Sequence, residues 1–126
     1  MNLSNILIVE NGLLNRKLIS ELLENDGYSV SYATNVQSAI TTLIQTQPFF
    51  ILVSLMLLQV DSCIFSRVLK NDEDTSKITV VGFSTELHSK NRLVYCGFDG
   101  FINMAESDKD LTEKIRKYLK KQQNKN

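Results

Sequence analysis

At 126 residues, with 43% hydrophobic and 22% charged positions, the chain has the size and composition of one globular domain, not of a disordered or fibrous segment. Fourteen basic residues balance fourteen acidic ones, which removes any global pull toward nucleic acid or an anionic membrane. The apolar run FFILVSLMLL is too short to span a bilayer, and the N-terminus lacks the basic, apolar, small-residue order of a secretory signal, so a cytoplasmic protein is expected.

ILIV (6–9) is a continuous apolar run of strand length, as expected for a strand covered on both faces. Leu14, Leu18 and Leu22, with Ile19 and Leu23 beside them, are spaced for one face of a helix. Asp26-Gly27 should close that helix, Gly27 supplying a left-handed cap. YSVSYA (28–33) alternates with period two and reads as a more exposed strand. Asn35 can cap a second helix with the apolar face Val36, Ala39, Ile40, Leu43 and Ile44. Pro48, the only proline, ends that region and opens the strand FFILV (49–53). Asp61 or Ser62 can cap a third helix bearing Ile64, Phe65, Val68 and Leu69. A polar loop over 71–77 precedes the strand VVGF (80–83). From Thr85 to Cys96 the helical pattern is thin, with apolar residues only at Leu87, Leu93 and Val94 before Gly97 stops it. Phe101-Ile102 makes a short fifth strand, and Ser107 with Asp110 resembles a capping box for a last helix carrying Leu111, Ile115 and Leu119.

The alternation of strand and helix predicts an α/β fold with a parallel sheet and helices on both faces. It fills the chain, so a single domain over 1–126 is expected, with a core of 5–119 and a basic tail over 120–126. Lys114, Arg116, Lys117, Lys120, Lys121 and Lys125 stand against Glu113 alone. They read as the solvated side of the last helix and a frayed tail, not as a nucleic-acid patch. Cys63 and Cys96 lack metal-ligand spacing and are expected to be reduced, mostly buried thiols.

In a parallel sheet the carboxyl ends of the strands form the working crevice. There the sequence places Glu10-Asn11, Ser54, Ser84 and Met104. With His88, Ser54 and Glu10 contain the residue types of a hydrolytic triad, but Ser54 has no G-x-S-x-G elbow and His88 no evident orienting acid. A flavin or nucleotide site would need a Gly-rich loop after the first strand, and ENGLLNR carries a single Gly. Ser84 can equally well bond to local backbone.

Taken together, ILIVENGLLNRKLISELLENDGY, PFFILVSLMLLQVDS, ITVVGFST and GFDGFINMAES resemble the receiver domain of two-component response regulators, over about Asn5 to Leu119. The resemblance implies the flavodoxin-like strand order 2-1-3-4-5, the order of chemotaxis receivers. In that family two acids follow the first strand and help to hold Mg²⁺, an Asp accepts the phosphoryl group, a Ser or Thr follows it, and a Lys balances its charge. Here Glu10 keeps one acid, Asn11 replaces the other, Ser54 stands for the Asp, Ser84 is retained, and Met104 replaces the Lys. Leu58, Gln59 and Ser62 replace the Pro and two Gly of the following loop, and Ala105 the later Pro. Phe101 stands at the family's mobile aromatic position.

A hydroxyl with no adjacent base cannot form an acyl phosphate, and Mg²⁺ needs anionic oxygen ligands. The resemblance therefore implies a stand-alone pseudo-receiver with no enzymatic activity, no cofactor and no metal. It would work through a protein partner (a histidine kinase, a phosphotransfer protein or an output protein), with a homodimer as a further expectation and neither nucleic acid nor membrane as a partner. Two surfaces are implied: the first-helix side with Asn15, Arg16 and Lys17, and the side running from 85–96 through Phe101 to the last helix. A receiver with unusual acceptor chemistry in a phosphorelay is the alternative.

Overall fold

The computed structural model describes residues 2–55, 59–84, 96–103 and 108–124. Its strands are β1 (Asn2–Val9), β2 (Ser29–Ala33), β3 (Pro48–Ser54), β4 (Thr79–Ser84) and β5 (Gly100–Asn103). Helices α1 (Leu13–Asn25), α2 (Val36–Thr46), α3 (Gln59–Asn71) and α4 (Asp108–Asn124) follow β1, β2, β3 and β5 in turn. All strand pairs are parallel and the order is β2-β1-β3-β4-β5, which is the expected order.

Central position explains the apolar runs. β3 and β4 are buried along their whole length, whereas the edge strand β2 buries only Ala33. Alternate side chains divide the core in two. On one face Ile6, Ile8 and Leu52 pack with Ile19 and Leu23 of α1 and Ile115 and Leu119 of α4. On the other, Leu7, Val9, Ile51 and Val53 pack with Ala39 and Leu43 of α2 and Phe65 and Leu69 of α3.

Two expected caps are present. Gly27 has φ +93°, and the Gly27 and Tyr28 N–H groups donate to the Glu24 and Leu23 carbonyls, closing α1 in the manner of a Schellman turn. Asn35 Oδ1 accepts from Ser38 N–H at 2.8 Å, starting α2. The third helix departs from expectation: it already includes Gln59, so Asp61 and Ser62 lie inside it and not at its cap. Helix faces also need correction. Leu14 is 82% exposed, and Ile40, Ile44, Ile64 and Val68 are exposed as well. In each of these helices the buried stripe is narrower than the apolar pattern. The thin helical pattern over 85–95 and the Ser107 cap lie outside the described residues.

The cysteines are the clearest correction. Cys63 and Cys96 form a disulfide, with Cα atoms 4.9 Å apart across a sequence separation of 33, and are not free thiols. The crossover from α3 through β4 brings the turn before β5 back against α3, a proximity that spacing along the chain does not reveal.

Candidate functional site

Register sets the carboxyl ends of the strands side by side. Val9 of β1 pairs with Val53 of β3, Ser54 with Phe83 of β4, and Ser84 with Asn103 of β5. Glu10, Ser54 and Ser84 therefore occupy neighbouring strand ends, and all three are buried, Ser54 and Ser84 completely. Asn11 does not join them and is exposed. Met104 and His88 lie outside the described residues.

Glu10 is the one acid among these described strand-end residues, and its carboxylate is already engaged. Oε1 accepts the Gly12 N–H at 3.1 Å, and Oε2 accepts the Asn15 side-chain amide at 3.3 Å. Its own N–H donates to the Ala33 carbonyl at 2.9 Å. Gly12 is the N-cap of α1 and offers no side chain for capping, so the Glu10 carboxylate supplies an acceptor, and a favourable negative charge, at this helix start. Asn15, expected in the sequence on a docking surface, is half-buried and gives its side-chain amide to that carboxylate.

Leu55, directly after Ser54, packs onto the sheet. Leu55 is 5% exposed, and its N–H donates to the Phe83 carbonyl at 2.8 Å. Its side chain lies over Gly82, where a Cβ would come within 3.1 Å of Leu55 Cδ1.

Divalent magnesium, which the receiver resemblance implies, does not fit these donors. It demands oxygen ligands, with one or two carboxylates beside the phosphate it accompanies. Here the single carboxylate is buried and hydrogen-bonded through both oxygens, the exposed Asn11 takes the place of the second acid, and Ser54 is neutral. No group of three or more His, Cys, Asp or Glu side chains suited to a metal occurs among the described residues.

Cavities lie elsewhere among the described residues. One of about 480 Å³ opens at the amino-terminal end of β3, between Leu43, Pro48, Asp72 and Ile78, away from the strand ends that carry Glu10 and Ser54. Another, about 360 Å³, is a groove between α1 and the edge strand β2, lined by Leu13, Arg16, Lys17, Glu24, Val30 and Tyr32. Leu13 and Tyr32 are 67% and 60% exposed, and the Arg16 guanidinium lies 4.7 Å from the centre of the Tyr32 ring, within cation–π range. Arg16 is thus half-buried against the groove, while Lys17 is exposed.

Phe101 is half-buried in β5. Its N–H donates to the Tyr118 hydroxyl of α4 at 3.2 Å. Sequence reasoning found the aromatic ring but missed Tyr118, whose part depends on the docking of α4 beside β5.

No helix among the described residues is long and apolar enough to cross a membrane. The family model for the response regulator receiver domain matches residues 6–116. The phosphate regulon transcriptional regulatory protein PhoB of Pseudomonas aeruginosa is 28% identical over 118 residues, covering 92% of this chain and 52% of that protein. The chain thus spans about half the length of that relative. The polar-differentiation response regulator DivK of Brucella anthropi is 27% identical over 116 residues, 90% of this chain and 94% of its own. Among solved structures, the signal receiver domain of a signal transduction histidine kinase from Syntrophus aciditrophicus superposes with a TM-score of 0.78 at 27% identity. That superposition covers 93% of this chain and 90% of that one.

Proposed function

This chain belongs to the response regulator receiver domain family, and we propose that it is a pseudo-receiver: it signals by binding a protein partner and carries out no phosphoryl transfer of its own. The observation that carries the reading is the state of Glu10. The one strand-end carboxylate among the described residues is buried and committed to holding the start of α1, next to a strand end at which Ser54 replaces the nucleophilic Asp. Met104, in place of the family Lys, removes the balancing cation. No catalysis, metal or cofactor belongs to this reading, and the protein acts in the cytoplasm.

The partner is a histidine kinase, phosphotransfer protein or output protein of a two-component pathway. The groove between α1 and β2 supports the first-helix side as its seat. It offers exposed Leu13 and Tyr32 with Arg16 and Lys17 beside them, including the Tyr and Arg that interfaces favour. Phe101 with α4 is the second candidate surface and the one suited to self-association. It is supported by the half-exposed ring at the sheet edge.

The deciding experiment incubates the protein with Mg²⁺ and acetyl phosphate and follows intact mass. No acid- and hydroxylamine-labile phosphoprotein is expected, and Ser54→Asp alone should not create one, since Asn11 and Met104 are unchanged. Stoichiometric addition that requires Ser54 would establish the alternative, a receiver with unusual acceptor chemistry. For the surface, Arg16→Glu or Lys17→Glu should abolish capture of the cognate partner while Phe101→Ala and Ser54→Ala leave it intact. The reverse pattern would move the seat to the β5–α4 side.

A further inference from the structure

Cys63, Ser66 and Lys70 lie three and four residues apart on α3 and so share one helix face. All three meet the short segment that leads into β5. Cys63 is bonded to Cys96. Ser66 is fully buried, its hydroxyl has no hydrogen-bond partner among the described residues, and its Oγ stands 3.8 Å from where a Cβ on Gly97 would sit. Lys70 lays its Cγ 3.3 Å from that same point and sends its ammonium to Asp99 Oδ2 and the Ile78 carbonyl, both at 2.6 Å. Asp99 in turn accepts the Val80 N–H at 2.8 Å. The approach to β5 is therefore tied to α3 twice, covalently at Cys96 and ionically at Asp99. Between the ties stands Gly97, whose φ of +84° only glycine adopts readily.

We propose that Cys63–Cys96 is a reversible thiol–disulfide site, reduced by a dithiol and re-formed by a disulfide donor, whose state sets how firmly the segment before β5 is held to α3. Ser66 carries the argument beyond the mere presence of a bond. A buried hydroxyl without a partner is costly, and this one lies on the same helix face as Cys63 and against the residue that follows Cys96. Reduction frees two thiols, each able to give or accept a hydrogen bond, one on the helix face that carries Ser66 and one beside Gly97. In the disulfide form the Ser66 hydroxyl has no partner among the described residues, and a thiol freed by reduction offers one. The Lys70–Asp99 pair needs no sulfur chemistry, so it keeps the segment near α3 in the reduced state and holds the sulfurs within reach for reoxidation. The cytoplasmic location proposed above adds weight, because disulfides in that compartment are mostly transient and redox-sensing. The inference itself stands independently of whether the chain accepts phosphate.

Accessibility sets the order of events. Cys96 is 3% exposed and Cys63 only half-buried, so the attacking thiolate reaches the Cys63 sulfur. The S–S bond breaks, a mixed disulfide forms on Cys63, and Cys96 departs as a thiolate and takes up a proton. The second thiol of the dithiol then attacks its own sulfur in the mixed disulfide and releases Cys63. One dithiol is oxidised for each protein disulfide reduced, and re-formation runs the same steps backward.

The test equilibrates the purified chain in defined ratios of reduced to oxidised dithiothreitol, quenches with acid, and counts alkylated thiols by intact mass. Amide exchange is followed in parallel. A single reversible transition between a form with no added groups and one with two is expected. Amides in 96–103 should exchange about tenfold faster in the reduced form while those of β1 and β3 are unmoved. Ser66→Ala, deprived of the hydroxyl that pairs with a thiol, should shift the dithiol-to-disulfide ratio about fivefold toward the disulfide. A bond that never forms in the folded protein would overturn the proposal. So would one that excess dithiothreitol opens only when the protein unfolds, or exchange over 96–103 that ignores the redox state.

Discussion

Gly100 opens β5 directly beneath the Tyr118 ring, and a Cβ there would collide with the ring carbons and the hydroxyl. That hydroxyl also grips Phe101, accepting its N–H at 3.2 Å and donating to its carbonyl at 3.4 Å. Gly100→Ala should therefore lower stability by about 1–3 kcal/mol in urea unfolding, as overpacked cores do. Tyr118→Ala in the same chain should relieve part of that loss, giving a non-additive double-mutant cycle. Tyr118→Phe keeps the ring and should cost only about 0.5–1.5 kcal/mol for the hydroxyl. Glu10, Ser54 and Ser84 could be placed at strand ends because each directly follows or closes an apolar run. What Glu10 does could not be read, because its partners Gly12 and Asn15 are set by the turn into α1, not by any pattern. That Asn15 donates to a buried carboxylate has no signal in the sequence pattern either.

For the four described helices, existence is legible in the sequence and orientation is not. In α1 the leucines at 14, 18 and 22 and the pair Ile19 and Leu23 both satisfy helical spacing, and periodicity alone cannot say which stripe faces the sheet. The connection from β1 turns Ile19 and Leu23 inward, each 1% exposed, and leaves Leu14 at 82%. Ile19→Ala should accordingly cost about 2–5 kcal/mol, while Leu14→Ala should fall within about 0.5 kcal/mol of the parent. The same ambiguity explains Ile40, Ile44, Ile64 and Val68. Strands were easier, because continuous burial of β3 and β4 imposes an unbroken apolar run with no choice of face. At the end of α1, Asp26 accepts a two-pronged bond from Arg116 of α4, both contacts at 2.8 Å. The Arg116 guanidinium holds the Asp26 carboxyl below the usual carboxylate range. A lowered folded-state pKa means stability that is present above the unfolded value and lost as pH falls through the folded one. Melting curves of the parent and of Arg116→Ala should therefore differ near neutrality and converge as pH drops below about 4. The difference should be small, since the pair is exposed to solvent and salt. One member of the basic set that read as a purely solvated face thus ties two elements together.

At the scale of the molecule, the order β2-β1-β3-β4-β5 leaves β5 as an edge of four residues. It pairs on one side with β4 and is covered by α4 near Tyr118. A strand this short adds few ladder bonds, and the disulfide at Cys96 sits just before it. Crosslinking positions 63 and 96 closes a long loop, with 33 residues of separation, in the unfolded chain. The entropy removed from that unfolded ensemble corresponds to about 3–4 kcal/mol. Reduction with the fold otherwise intact should therefore lower the melting temperature by about 10 °C or more for a domain of this size. The denaturant slope gives an independent check, because a crosslinked unfolded chain exposes less surface than an open one. Urea unfolding of the reduced protein should show a lower midpoint together with a steeper m-value. Cys96→Ser, which cannot form the bond, should reproduce the reduced-state slope in oxidising buffer. Loss of the midpoint shift with the slope change retained would mean that the reduced native state recovers, through new contacts such as a thiol partner for Ser66, what the crosslink takes from the unfolded chain.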